Sequence, residues 1–139
     1  MTRTVGVDIG GANLKYATAA EEPGDARSYS RYFPMWRLAD QLADAIADDL
    51  RGFGDIDALA VTMTGELADC FVDRKAGVDH IVTHAVAAAT RVGIDDVLFY
   101  GVDGAFQFES EARQQTDNMA ASNWHALACL LYTSDAADE

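Results

Sequence analysis

The sequence predicts an α/β fold built on a five-stranded mixed sheet with helices on both faces, in the order β-β-β-α-β-α-β-α. Three observations carry this. Strand-like runs follow one another through the first 33 residues, separated by Gly- and Pro-containing turns. Two later stretches repeat apolar residues at helical spacing. Short runs between and after them are apolar throughout, as strands at the centre of a parallel sheet are. The 139 residues are 50% hydrophobic, enough for one buried core.

Thr4-Val5-Gly6-Val7-Asp8-Ile9 is β-rich and runs into Gly10-Gly11, a strand followed by a tight turn. Residues 14–19 pair back on it as a hairpin. The segment Glu21-Glu22-Pro23-Gly24-Asp25 is a turn, and residues 28–33, with Tyr29 and Tyr32, form a third strand. Leu38, Leu42, Ile46 and Leu50 recur every four residues, with Asp and Gln on the other face and Gly52 and Gly54 at the end. This is the first helix. Residues 58–62 make the fourth strand. The second helix runs over residues 75–92 on the stripe Val78, Ile81, Val82, Ala85, Val86, Ala89 and Val92, and Gly93 closes it. Residues 97–100 are the fifth strand, residues 110–115 a loop or short helical turn, and residues 118–128 a third helix.

The charge balance narrows function. Ten Lys and Arg against 23 Asp and Glu give −13 at pH 7. Such a surface repels nucleic acid and anionic membranes, so neither is expected as a partner. No apolar run approaches the roughly 20 residues of a membrane helix, and the N-terminus lacks the pattern of a signal peptide. The expectation is a soluble cytoplasmic protein. Cys70 and Cys129 make no disulfide framework and no CxxC pair; Cys70 reads as a small buried residue. His80 and His84 have the i,i+4 spacing of a helical metal pair. They lie opposite the apolar stripe with no third ligand, so they read as solvent-facing.

Two segments carry chemistry. The first is Asp8-Ile9-Gly10-Gly11-Ala12-Asn13-Leu14-Lys15. An Asp at the carboxyl end of a strand can hold a hydrated Mg²⁺. The glycines let backbone N–H groups approach a phosphate, and Asn13 and Lys15 add a donor and a charge. The second is Thr62-Met63-Thr64-Gly65-Glu66-Leu67-Ala68-Asp69-Cys70-Phe71, leaving the fourth strand. Ligands of open sheets lie beyond the carboxyl ends of the strands, so Asp8 and Glu66 should face one crevice. Either Glu66 or Asp69 has the chemistry of a general base.

The first loop and the element order resemble the RNase H-like acetate kinase/actin/Hsp70 superfold, in which a DxGxTxxK loop cradles phosphate and metal. Ala12 stands where that motif has Thr, which removes a hydroxyl donor and tells against a standard ATP-dependent kinase. DIGGANLK, FPMW at residues 33–36, TMTGELADCF, KAGVDHIV and ASNWHALA at residues 121–128 occur in one order. Together they resemble the hydantoinase/oxoprolinase-related family of tetrahydromethanopterin-linked one-carbon transfer pathway proteins. TMTGELADCF is the specific part; DIGGANLK has near copies in sugar kinases.

The resemblance implies a transferase of methanofuran-linked cofactor biosynthesis. It would join an aminomethylfuran-methyl diphosphate to the phenol oxygen of γ-glutamyltyramine and release diphosphate. Carried onto this chain, Asp8 is the metal candidate, and Gly10, Gly11, Asn13 and Lys15 the phosphate-binding candidates. Glu66 and Asp69 are the catalytic candidates, and Thr64, Asn123 and Trp124 the substrate-binding ones. Mg²⁺ is the expected cofactor, and ATP is left open. The alternatives are an ATP-dependent sugar or small-molecule kinase of the same superfold and a non-catalytic binding protein.

The last eleven residues, 129–139, resemble the in-frame translation of a sequencing-library adapter. The expectation is therefore an N-terminal lobe over residues 1–128, inactive without a C-terminal lobe as partner, and a non-native tail. The tail contains three of the acids, so the acidic balance stands without it.

Overall fold

A computed structural model describes residues 3–18 and 27–126. Its centre is a sheet in the order β3-β2-β1-β4-β5-β6. β1 (Thr4–Ile9) and β2 (Asn13–Thr18) form the hairpin that the Gly10-Gly11 turn closes, with Asp8 opposite Lys15. β3 (Ser28–Tyr32) adds to β2 antiparallel. β4 (Ala58–Met63) lies parallel to β1, with Asp8 opposite Thr62, and β5 (Asp96–Tyr100) lies parallel to β4.

The expected five-stranded acetate kinase/actin/Hsp70-type lobe is corrected here. The sheet has six strands, because β6 (Phe106–Gln107) pairs antiparallel with β5. Two residues are too short to leave a period-2 signal. The described helical cover is also unequal: α2 and α3 pack on one face, and on the other only the short helical stretch over 122–126 reaches the sheet, through Asn123 to Asp8 and His125 to Tyr100. Val5, Val7, Ile9, Leu14, Tyr16, Leu59, Val61, Met63, Val97 and Phe99 alternate onto one face and are buried. They form one core with Leu42, Ile46 and Leu50 of α2 (Leu42–Arg51) and with Val78, Ile81, Val82, Ala85 and Ala89 of α3 (Arg74–Arg91). The other face carries Gly6, Asp8, Lys15, Ala17, Ala60, Thr62 and Tyr100. These line an open groove of about 610 Å³.

The helices differ from the periodic reading at their ends. The first begins as a short turn, α1 (Met35–Leu38), passes through a tighter turn at Ala39–Gln41 and continues as α2. The Asp73 carboxylate accepts the Ala76 N–H at 2.8 Å and so caps the start of α3. At its end the Ile94 N–H reaches the Ala89 carbonyl at 2.8 Å and Gly93 takes φ +83°, the left-handed stop that glycine allows.

The expected helix over residues 118–128 is instead interrupted. α4 (Glu109–Gln114) and α5 (Thr116–Met119) are short. The chain then extends at Ala120, turns left-handed at Ala121 (φ 54°) and becomes helical again over 122–126. The tail at 129–139 lies outside the described residues.

His80 and His84 are not solvent-facing. Their rings stack 4.0 Å apart between α3 and the α1–α2 segment. His84 Nδ1 accepts the Ala43 N–H at 3.0 Å, and His80 Nε2 lies 2.8 Å from the Ala39 carbonyl. They are helix-packing residues. Cys70 is exposed rather than buried, its thiol directed at the Met35 carbonyl at 3.5 Å. Among the described residues no helix is long and apolar enough to cross a membrane.

Candidate functional site

Parallel pairing of β1 with β4 ends both strands at one edge of the sheet, and their two following turns meet there. The Thr64 N–H donates to the Ile9 carbonyl at 3.0 Å, joining the two segments. A Cβ on Gly65 would stand 3.0 Å from the Gly10 carbonyl oxygen, so the second turn packs directly on the first.

Asp8 sits at the centre of the site. Its Oδ1 accepts the Thr62 hydroxyl at 3.3 Å, and its Oδ2 accepts the Asn123 amide at 3.4 Å. Lys15 faces it across the hairpin, exposed, and among the described residues makes no ion pair. The first turn is less uniform than its two glycines suggest. The Gly10 N–H is committed to the Asn13 carbonyl at 3.0 Å, while the Gly11 and Ala12 carbonyls hold the Met35 and Phe33 N–H groups. The Gly11 and Ala12 N–H groups donate to no described residue. A Cβ on Gly11 would meet nothing within 4 Å. Space and donors at this turn are therefore available to an anion.

Glu66 is placed differently from a rim carboxylate. It is 2% exposed. Its Oε1 accepts the Ala121 N–H at 2.6 Å, and its Oε2 has no described partner. Burial pushes its carboxyl above the usual range, and the Ala121 N–H partly opposes that. Asp69 is exposed and lines a shallow groove of about 330 Å³ with Gly11, Ala12, Trp36, Leu67 and Ala68. Trp124 is 68% exposed.

The structure thus brings Asp8, Lys15, Thr62 and Asn123 together, with Gly11, Asn13 and Thr64 beside them. Asp69 is not in that group; it lines the neighbouring groove on Gly11 and Ala12. Reasoning from sequence misses Trp36 beside that turn and the Tyr100 hydroxyl, 2.8 Å from His125 Nδ1. In sequence the only signal for Trp36 is its place in the FPMW segment at residues 33–36.

The donor set fits a Mg²⁺ brought in with a phosphate. Both Asp8 oxygens make only long hydrogen bonds and keep lone pairs, and Mg²⁺ commonly takes one or two carboxylates plus water and phosphate oxygens. Among the described residues no group of three His, Cys, Asp or Glu could cage a metal without such a partner.

No family model matches the chain. One curated relative is similar over most of the chain. Over 125 residues the chain is 36% identical to the (4-{4-[2-(gamma-L-glutamylamino)ethyl]phenoxymethyl}furan-2-yl)methanamine synthase of Methanocaldococcus jannaschii. The match covers 89% of this chain and 35% of the relative, so the chain spans about a third of that protein's length.

Among solved structures, the chain is similar to T. thermophilus RuvC in complex with a Holliday junction substrate. The TM-score is 0.48 at 17% identity, over 72% of this chain and 64% of that one. It is also similar to the human cytomegalovirus terminase nuclease domain, with TM-score 0.48 at 20% identity, over 72% and 45%.

Proposed function

We propose that this chain carries the metal- and diphosphate-binding part of a cytoplasmic transferase of methanofuran-pathway biosynthesis. The reaction joins an aminomethylfuran-methyl diphosphate to the phenol oxygen of γ-glutamyltyramine and releases diphosphate. The observation that carries the reading is the 36% identity to the synthase across 89% of the chain. The DIGGANLK, FPMW, TMTGELADCF, KAGVDHIV and ASNWHALA segments support placing it in the hydantoinase/oxoprolinase-related family.

The geometry supplies roles. Asp8, steadied by Thr62 and Asn123, would hold Mg²⁺, which neutralises charge on the leaving diphosphate. Lys15, Asn13 and the free N–H groups of Gly11 and Ala12 would bind its oxygens. The phenol must lose a proton as its oxygen attacks the methylene carbon and the carbon–oxygen bond to diphosphate breaks. Asp69, exposed beside the first turn, is the carboxylate accessible to take that proton. Trp36 and Trp124 offer faces to an aromatic ring, and Thr64 a hydroxyl.

The test uses the protein expressed from its complete reading frame, mixed with both substrates and Mg²⁺. Mass spectrometry should detect the aryl ether, with one diphosphate released per ether formed. Asp8→Asn should slow both by about 100-fold, the size of effect expected when stabilisation of developing charge is lost. Phosphorylation of a substrate at the expense of ATP, without ether formation, would overturn the reading.

A further inference from the structure

We infer that Glu66 is a positioning residue: its buried carboxylate holds residues 120–123 in the one conformation that lets Asn123 grip Asp8. This assigns it a role distinct from the general base that its chemistry suggests.

The geometry builds in three steps. First, Glu66 is enclosed. It is 2% exposed, and α3 closes over it at Gly77, where a Cβ would stand 2.6 Å from the Glu66 carbonyl oxygen and 2.9 Å from its Cβ. A proton acceptor for a substrate must reach that substrate, directly or through one water; this side chain is buried, its Oε2 out of contact with solvent.

Second, its one described bond goes to a strained point. Ala121 is the sole described non-glycine residue with positive φ, at 54°. For an L-residue the left-handed conformation is sterically unfavourable. The Ala121 N–H donates to Glu66 Oε1 at 2.6 Å, a short bond. Beside it the Ser122 hydroxyl oxygen accepts the Met63 N–H at 3.1 Å. The loop is thus tied at two successive residues to the end of β4 and the turn after it.

Third, two residues past Ala121 the Asn123 amide donates to Asp8 Oδ2 at 3.4 Å. Without the left turn, residues 118–126 would run on as one helix and present Asn123 elsewhere. The buried carboxylate therefore acts on Asp8 through the loop.

The consequence for diphosphate rests on the proposed function; the coupling of Glu66 to Asn123 does not. Two readouts separate them. In the ¹⁵N-labelled chain, the Ala121 amide and the Asn123 side-chain NH₂ report the loop directly. Binding of Mg²⁺–diphosphate, measured by calorimetry, reports the site.

Glu66→Gln keeps an acceptor for Ala121. It should leave both resonances near their wild-type positions and the affinity within about threefold. Glu66→Ala should move both and weaken binding about tenfold, the cost of losing one hydrogen bond. Ala121→Gly, which removes the backbone strain, should restore much of the affinity in the Glu66→Ala background. If Glu66→Ala does not fold, Ala121→Val tests the same link from the other side, since a β-branched residue resists positive φ; it should shift the Asn123 signal with Glu66 intact.

Asn123 resonances unmoved in Glu66→Ala or in Ala121→Val overturn the inference. So does a Glu66→Gln protein that keeps those resonances but no longer forms ether, because then the proton itself matters. If the wild-type chain fails to bind Mg²⁺–diphosphate, the proposed function falls, and the resonances alone decide the role of Glu66.

Discussion

At the scale of single residues, contact determines role more than residue type does. Gly77 is the clearest case. In an exposed helix Gly→Ala stabilises by up to about 1 kcal/mol, but here the new methyl would press on the Glu66 backbone. Overpacking of this kind costs typically 1–3 kcal/mol. Gly77→Ala should therefore lower stability by about 1–2 kcal/mol, read as a lower urea midpoint, and displace the Ala121 amide. Glu66 adds a pH dependence. Its folded-state pKa lies above its unfolded value because of burial, so the folded chain binds that proton more tightly. Its contribution to stability is therefore greatest at low pH and declines as pH rises from about 4.5 through the folded pKa. Glu66→Gln should remove this slope from urea titrations made across that range. Asp8 and the Gly-Gly turn were legible as chemistry because their spacing is local. The Glu66 enclosure was not, since it depends on a glycine eleven positions later in a different element. Nor was the Asn123 contact, 115 positions from Asp8.

Among the elements, five strands and α3 were legible from alternation and 3.6-residue periodicity to within about one residue of their ends, whereas the first helix, read from Leu38, is broken and its long part starts only at Leu42. What escaped has a physical cause in each instance. β6 is too short for a pattern. The break at Ala120–Ala121 falls in a run rich in good helix formers, where tertiary bonds to Glu66 and Met63 override local propensity. The histidines of α3 were misplaced because the α1–α2 segment packs on the polar side of its stripe. That packing predicts a second pH effect. Burial lowers the His84 pKa below 6.5, with the neighbouring His80 adding to it, and Nδ1 accepts the Ala43 N–H only when unprotonated. Stability from this contact is complete above pH 6.5 and falls as pH drops from there toward the folded pKa. A His84→Gln variant should lose that acid-side decline in thermal melts between pH 7 and 5.

Across the whole molecule the net charge of −13 opposes anions as a class. A diphosphate site on this surface therefore needs counter-charge beyond Lys15. Removing divalent metal with EDTA should weaken diphosphate binding by more than tenfold, and raising salt in the metal-free sample should recover part of it by screening the repulsion. Calorimetry in matched buffers checks both. The acidity was plain in the sequence, whereas the open sheet face was not: alternation shows that one side of each strand is apolar, but not what covers the other.

The pairing of β1 with β4 also bears on how the molecule comes together in time. A hairpin such as β1–β2 closes on the microsecond scale from neighbours in sequence, whereas β1 meets β4 at a sequence separation of 54. Loops of that length close late and slow folding. Asp8 is thus made early as part of a hairpin but meets Thr62 only after the sheet centre has zipped. It meets Asn123, farther still along the chain, only once the C-terminal loop has docked. A nascent or partly unravelled chain would keep the recognisable Gly-Gly motif while lacking both partners of its carboxylate. In this architecture the surroundings of Asp8, and with them the metal site proposed there, are a late product of folding.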